Sequence, residues 1–434
     1  MSLAILLRES SFEDFLKIIL PCCVEVSMTT SIKKPAFPFW ALSVITTTLL
    51  CFNHAGRAEQ LKMPVDTAKV AAAGTEFGFD LLGKLANSGG NVFVSPLSIT
   101  QALSLTLNGA GGETRKQISE TLHLGDTPLP DVNAANGALI AQLRNPEPDV
   151  TLSIAIAIWV NNGLKLDPEF RSRCTELYGA ASDTLDFSSP ESAGRINKWV
   201  SEQTKGNIKE ITSPAALKDY MTVLTNAVYF HGRWSKTFDS AVTQPETFTL
   251  GDGKTKQVPM MRRTGSFSYL KSDDFQLVRL PYGKGRTAMY IVLPSQNLGI
   301  GDLLAEATAD RWSDLIGQMQ PASLQLKLPR FSASQDVNLK QPLSDLGMAV
   351  AFGAEADFGP MGIPGSYIGA VLHKATLDVN ETGSTAAAAT AVAHSAGIEI
   401  PPPIQFTVDH PFLCAIRDDT TGTLLFIGAI RDPK

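Results

Sequence analysis

A nucleophilic serine is the first chemistry that the residue spacing suggests. Ser268-Tyr269-Leu270-Lys271 fits S-x-x-K, in which a lysine helps to activate a serine for attack on a carbonyl carbon. Arg263-Thr264-Gly265 and Ser272-Asp273-Asp274 resemble degraded forms of the two motifs that accompany it in penicillin-recognising enzymes. In those enzymes the motifs are widely separated, whereas here they fall within twelve residues and in the wrong order. A β-lactam-reactive enzyme is therefore a disfavoured alternative, which labelling of Ser268 would test.

Other catalytic and cofactor patterns are missing from the sequence. It contains no G-x-S-x-G, H-E-x-x-H, phosphate-binding loop or dinucleotide-binding glycine pattern. Of six histidines, His54 lies in the N-terminal segment and the others are scattered singly, without metal-ligand spacing. The formal charge of −6 argues against a nucleic-acid partner. We therefore expect a protein that is not an enzyme and binds neither cofactor nor metal.

A run of small residues is more informative. From Gly383 to Ala393 nothing is larger than valine. Composition alone favours an alanine-rich helix or a linker. However, His394-Ser395-Ala396-Gly397 offers no helical face, and Pro401-Pro402-Pro403 requires an extended exit. Both interpretations predict an exposed loop.

Small side chains are what a segment needs if it must enter a sheet that is already packed. In a strand, alternate residues face opposite sides. One face would carry Ser384, Ala386, Ala388 and Thr390; the other would carry Thr385, Ala387, Ala389 and Ala391. One of these faces would meet a core in which even an added methylene is felt. Gly383 would supply the backbone freedom of a hinge.

The N-terminal residues predict a targeting segment. Lys33 and Lys34 form a basic region, Phe37 to Cys51 an apolar stretch, and Gly56-Arg57-Ala58 a small-x-small cleavage site. We expect residues 1–58 to be a signal-peptide region that directs secretion to the periplasm or the extracellular space.

Three alternatives concern this segment. Counting from Met28 gives a plausible signal-peptide length, so residues 1–27 would precede the true start. An uncleaved anchor is disfavoured because the apolar run is shorter than the ~20 residues that span a bilayer. Lipidation at Cys51 is a minor option. After cleavage no membrane association is expected, and Cys174 and Cys414 would remain as buried thiols.

The remaining chain, residues 64–434, predicts a single α+β domain. Helix and strand signals are intermixed without regular βαβ alternation. Asp167, Pro168 and Gly179 form a complete set of helix start and stop signals. Alternating isoleucines from Leu152 to Ile158 predict a strand, and two apolar runs near the C-terminus predict a hairpin.

Five motifs, in order, resemble those of the serpin family, and the resemblance covers about 370 residues. They are Asn91-Val92-Phe93-Val94-Ser95-Pro96-Leu97-Ser98, Thr225-Asn226-Ala227-Val228-Tyr229-Phe230-His231-Gly232-Arg233-Trp234, His373-Lys374-Ala375, Val379-Asn380-Glu381-Thr382-Gly383 and Val408-Asp409-His410-Pro411-Phe412-Leu413. The resemblance implies a serpin fold: three β-sheets, eight or nine helices and an exposed reactive-centre loop. It also implies a monomer that traps a target serine protease as a covalent acyl-enzyme while the cleaved loop inserts into the central sheet.

The resemblance assigns roles to particular residues. Glu381 to Gly383 would be the hinge, and Ser384 to Thr390, including Ala386, Ala387, Ala388 and Ala389, would lead the inserting strand. Ser95, Ser98, Asn226 and His373 resemble the polar cluster that gates sheet opening. Trp234 resembles the tryptophan where the loop enters. Thr382 and Thr385 depart from the glutamates of many inhibitory members, which would alter the insertion rate.

The reactive bond is less narrowly defined. The family's spacing from Glu381 indicates Gly397 and Ile398, with Ala396, Glu399 and Ile400 as alternatives. Because no Lys or Arg occurs from Ala375 to Ile416, a trypsin-like protease would find no bond to cut there. We expect inhibition of elastase-like or subtilisin-like proteases, with a glutamate-specific protease as another option. The alternative function is a non-inhibitory serpin that acts as a binding or carrier module.

Overall fold

Two β-sheets and ten α-helical segments make up the part of the chain that the computed structural model describes, residues 66–86, 89–144, 147–383 and 401–434. The helices are α1 (Thr67–Ala86), α2 (Pro96–Leu107), α3 (Gly112–Thr121), α4 (Leu129–Leu143), α5 (Pro168–Tyr178), α6 (Pro190–Gln203), α7 (Pro214–Leu217), α8 (Ile300–Ala305), α9 (Ala309–Gln318) and α10 (Lys340–Leu343). The strands are β1 (Val92–Val94), β2 (Val150–Asn161), β3 (Ala181–Leu185), β4 (Thr222–Gly232), β5 (Gln244–Thr249), β6 (Thr255–Lys271), β7 (Phe275–Pro281), β8 (Thr287–Pro294), β9 (Gln320–Pro329), β10 (Phe331–Asn338), β11 (Ile368–Val379), β12 (Ile404–Thr407), β13 (Phe412–Asp418) and β14 (Thr423–Ile430).

Local sequence signals explain the clearest helix boundaries. Asp167 caps α5 by accepting a hydrogen bond from the Phe170 N–H at 2.9 Å, and Pro168 is the first helical residue. Gly179 ends the helix in the left-handed region with φ 61°, where a side chain would be strained. The helix predicted between these signals is therefore confirmed.

The five-stranded sheet has the strand order β10-β11-β4-β2-β3. On β2 the isoleucine face packs into the main core, while Ala155 and Ala157 face a smaller cluster that includes Ile196 and Val200 of α6. Both faces of this sheet are therefore covered. The neighbours β4 and β11 run parallel, whereas each is antiparallel to its outer neighbour, β2 or β10.

The nine-stranded sheet follows the order β1-β14-β13-β8-β7-β6-β9-β12, with β5 also paired to β6. Three sheets were expected, but the described ladders form two. The reason is the 17-residue strand β6, which pairs with β7 near its end and with β9 along much of its length. The predicted C-terminal hairpin is β13–β14.

The S-x-x-K residues lie in regular β structure. Ser268 and Lys271 are both in β6, where residues three apart point to opposite faces of the sheet. The lysine is therefore not positioned beside the serine as acyl transfer would require.

Cys174 and Cys414 are buried free thiols, as expected. Burial raises the pKa of each thiol to about 12. Among the described helices, none combines the length and apolar character needed to cross a membrane. The described residues also contain no group of three or more potential metal ligands.

Candidate functional site

The parallel pair β4 and β11 is joined along only part of its length. Its register covers eight residue pairs, from Ile368 opposite Thr222 to Thr376 opposite Tyr229. Beyond this point β11 stays paired with β10 as far as Val379, and β4 stays paired with β2 as far as Gly232. The two strands therefore separate at one end, which we call the open end.

The segment that follows β11 docks at the open end. The Trp234 N–H donates to the Thr382 carbonyl oxygen at 3.1 Å, and the Trp234 indole Nε1–H donates to the Asn380 carbonyl oxygen at 2.8 Å. The Trp234 ring stacks on Tyr282, with 4.3 Å between ring centroids. A rigid aromatic pair therefore holds the first residues after β11 against the end of β4.

Glu381 anchors the same segment through its side chain. The residue is 5% exposed, and its carboxylate accepts hydrogen bonds from Arg330 and from the Thr243 hydroxyl, the latter at 2.6 Å. Burial opposes ionisation, but the hydrogen bonds from Arg330 and Thr243 outweigh it and hold the Glu381 pKa below its ordinary value. The carboxylate is therefore charged at neutral pH and ties the segment to the neighbouring β10 side.

Gly383 is the last described residue before the small-residue run. Its φ is 82°, and a Cβ built on it would lie 2.4 Å from both the Gly232 carbonyl oxygen and the Trp234 nitrogen. Only glycine avoids both the strain and the collision. We call Trp234, Thr243, Arg330, Glu381 and Gly383 the hinge cluster.

Ser95, Ser98, Asn226 and His373 meet below the open end, and we call them the gate cluster. All four are fully buried. Ser95 is the N-cap of α2, and its hydroxyl accepts from the Ser98 N–H and donates to the Leu425 carbonyl oxygen. The Ser98 hydroxyl donates to Asn226 Oδ1 at 2.7 Å, and Asn226 Nδ2 donates to the Ser98 carbonyl oxygen at 2.7 Å. The cluster thus links the start of α2 to β4.

His373 extends this link from β4 to β11. It is the register partner of Asn226, and its Nδ1 lies 2.6 Å from Asn226 Oδ1. Its Nε2 accepts from the Ser95 N–H at 3.3 Å. These contacts require a neutral ring that carries its proton on Nδ1. Desolvation lowers the pKa of His373 to about 3, which keeps the ring neutral at physiological pH.

The structure therefore brings together the residues predicted for the hinge and the loop entry, and separately those predicted for the gate. Their roles remain predictions. The predicted inserting residues Ser384 to Thr390 and the reactive-bond candidates Ala396 to Ile400 lie outside the described residues, as does the 1–58 region. Sequence reasoning missed Arg330, Thr243 and Tyr282. No local pattern could have found them, because the first two lie 51 and 138 residues from Glu381.

Comparisons with known proteins agree with one another. A family model described as serpin (serine protease inhibitor) matches residues 72–433. A serpin-like protein of Thermococcus kodakarensis is 36% identical over 373 residues, which is 84% of this chain and 86% of the relative. The leukocyte elastase inhibitor of Xenopus tropicalis is 35% identical over 381 residues, with 84% and 99% covered. The solved structure of a native thermophilic serpin, tengpin, superposes with a TM-score of 0.77 at 28% identity, covering 84% of this chain and 94% of that one.

Proposed function

The chain belongs to the serpin family, and on this premise we propose that it is a secreted suicide-substrate inhibitor of serine proteases that prefer small or aliphatic residues. The observation that carries the proposal is the parallel pair β4 and β11 with its open end beside the hinge cluster. In this mechanism the loop folds back from the end of β11 and inserts between the two strands.

The strand directions favour such an insertion. A segment that leaves the end of β11 and turns back between β11 and β4 runs opposite to both strands. One parallel ladder is then replaced by two antiparallel ladders, which are slightly more stable per residue. About fifteen inserted residues at roughly 0.5 to 1.5 kcal/mol per hydrogen bond supply on the order of 10 kcal/mol. The native state would accordingly be kinetically trapped.

The gate cluster opposes premature opening. Neighbouring strands lie about 4.8 Å apart, so a third strand requires β4 and β11 to separate by about that distance. The hydrogen bond between His373 and Asn226 spans the two strands and must break. We therefore propose that the cluster acts as a gate, because its hydrogen bond must break before the loop can insert.

The covalent step consumes the inhibitor. The protease serine attacks the carbonyl carbon before the reactive bond, an ester forms, and the amine on the leaving side departs with a proton. We place this bond at Gly397–Ile398, with neighbouring bonds between Ala396 and Ile400 as alternatives. Insertion then displaces the bound protease before water can hydrolyse the ester. No cofactor takes part.

The proposal extends to cellular location and assembly. We propose that residues 1–58 direct export and that residues 64–434 act as a monomer outside the cytoplasm. Mass spectrometry of the mature N-terminus would test this. Cleavage after Ala58 supports export, whereas a mature chain that retains residues 33–58 argues against it.

Incubation with elastase, subtilisin and trypsin tests the inhibitory mechanism. We expect complexes with elastase or subtilisin that survive denaturing gels, release of a C-terminal peptide that identifies the cut bond, and a higher melting temperature for the cleaved chain. Cleavage by elastase or subtilisin without any stable complex would instead indicate a non-inhibitory serpin. A complex with trypsin alone would contradict the specificity argument.

Two matched loop variants test insertion itself. Ala386→Arg and Ala387→Arg place the same side chain on opposite faces of an inserted strand. The variant that faces the core should be cut as an ordinary substrate, and the other should still form a complex. If both variants form complexes as the unmodified chain does, strand insertion is not the mechanism.

A further inference from the structure

Three asparagine–glycine pairs occur in the chain, at Asn108–Gly109, Asn136–Gly137 and Asn162–Gly163. Asparagine is a thermolabile residue, because the backbone nitrogen of the residue that follows it can attack its side-chain carbonyl carbon. A glycine in that following position has no Cβ to hinder the attack. The three pairs share this intrinsic chemistry, so the structure around each pair decides which of them reacts.

Hydrogen bonds protect the Asn108–Gly109 pair. Asn108 is 6% exposed, and its Nδ2 donates to the Ser104 carbonyl oxygen at 2.9 Å and to Asn133 Oδ1 at 2.8 Å. The Gly109 N–H, whose nitrogen would be the nucleophile, donates to the Thr106 carbonyl oxygen at 2.9 Å. Attack would break these buried hydrogen bonds, so the native fold opposes it.

The Asn136–Gly137 pair is protected inside helix α4. Asn136 is fully buried, and its Nδ2 donates to the Val132 carbonyl oxygen at 3.0 Å. In an α-helix each N–H is directed towards the carbonyl oxygen four residues earlier, so the Gly137 nitrogen is not free to approach the Asn136 side chain. Reaction at this pair requires the helix to unfold locally.

The Asn162–Gly163 pair lies in the turn between β2 and α5, and both residues are exposed. Within the described part of the chain, neither the Asn162 side chain nor the Gly163 N–H has a hydrogen-bond partner. Gly163 has a φ of 95°, and a Cβ built on it would meet no described atom within 4 Å. The nucleophile and the carbonyl carbon are therefore both accessible, and no packed neighbour at Gly163 opposes their approach.

We propose that Asn162 is a site of spontaneous deamidation in the native protein, whereas Asn108 and Asn136 are not. The Gly163 nitrogen loses its proton to base and bonds to Asn162 Cγ. The bond from Cγ to Nδ2 breaks, and Nδ2 takes up a proton and leaves as ammonia, so that a cyclic imide remains. Water opens the imide at either carbonyl carbon and gives aspartate or isoaspartate. The net reaction consumes one water molecule and releases one molecule of ammonia.

Both products change the edge of the five-stranded sheet. Each adds a negative charge to the turn at neutral pH. Isoaspartate also lengthens the backbone by one carbon beside the Asn162 N–H, which donates to the Leu185 carbonyl oxygen at 2.8 Å. That hydrogen bond joins the end of β2 to the edge strand β3. The modification therefore alters charge and backbone geometry where these two strands meet.

Peptide mapping by mass spectrometry after incubation of the intact chain at pH 8 measures all three rates in one sample. The incubation contains no target protease, so its outcome is independent of the inhibitory function. In the native chain we expect Asn162 to deamidate at least tenfold faster than Asn108 or Asn136. In urea the three rates should lie within about threefold of one another, because the shared Asn-Gly chemistry alone then sets them. A native Asn162 rate less than tenfold above either of the other two would overturn the proposal.

Two variants assign the product to its residue. Asn162→Gln keeps an exposed amide but places the carbonyl carbon one bond farther from the Gly163 nitrogen, which slows ring closure. An isoaspartyl methyltransferase with labelled S-adenosylmethionine quantifies isoaspartate. The label should fall at least tenfold in Asn162→Gln and stay unchanged in Asn207→Gln, the matched control, because Asn207 is exposed but is followed by Ile208. Since both positions are exposed, both variants should fold, and label that persists in Asn162→Gln would contradict the assignment.

Discussion

Replacement of His373 by glutamine gives the sharpest test of the gate cluster. In the native chain His373 is neutral, with a pKa lowered to about 3, whereas an unfolded histidine titrates near 6.5. The unfolded state therefore binds more protons below pH 6.5, and stability falls as the pH drops from about 6.5 towards 3. From pH 7 to pH 4.5 this one residue accounts for a loss of about 2 to 3 kcal/mol.

His373→Gln should remove that loss. A glutamine oxygen can still accept from the Ser95 N–H, but the donor to Asn226 is lost. At pH 7 we expect a destabilisation of about 1 to 2 kcal/mol for a buried hydrogen bond. At pH 4.5 the variant should equal or exceed the unmodified chain, because glutamine does not titrate.

The assay is urea unfolding followed by tryptophan fluorescence at pH 7, 6, 5 and 4.5. The quantity to compare is the difference in free energy of the first unfolding transition between variant and unmodified chain. Subtraction cancels the titration of groups that both chains share. His231→Gln removes a half-exposed histidine from the same strand as Asn226 and is the matched control for loss of a histidine outside the gate cluster. A His373→Gln profile parallel to that of the unmodified chain would refute the reasoning.

Three further predictions concern the hinge cluster and the thiols. Arg330→Gln should cost about 1 kcal/mol at pH 7, because a half-exposed charge supports the buried Glu381 carboxylate. Stability from the lowered Glu381 pKa is present above about pH 4.5 and is lost as the pH falls further, so the urea midpoints of variant and unmodified chain should converge below pH 4.5. Gly383→Ala should lower the melting temperature in scanning calorimetry, because its Cβ would lie 2.4 Å from backbone atoms at a φ of 82°; an unchanged melting temperature would show that the hinge is not docked as described. Cys174 and Cys414, whose pKa values burial raises to about 12, should resist a thiol reagent at pH 8 until urea is added, and peptide mapping that finds rapid native labelling at either position would contradict their burial.

The sequence by itself determined what depends on neighbouring residues. The start and stop of α5 at Asp167 and Gly179, the C-terminal hairpin and the buried character of the two cysteines follow from short-range signals, and the structure confirms each of them. The ordered motifs also identified the family. Capping, turn and alternation signals act within a few residues, which is why one sequence suffices to detect them.

Tertiary structure alone decided which distant residues meet. The register of β4 against β11 pairs Asn226 with His373, and the docking of the chain after β11 brings Glu381 to Arg330. The same packing leaves the Gln101 amide without a described partner in a cleft. The two contacts join residues at least 51 positions apart in the chain. The surroundings of Gln101 depend on the space that remains between packed helices and strands. Sheet register and side-chain packing set these relations, and no local pattern in the chain encodes them.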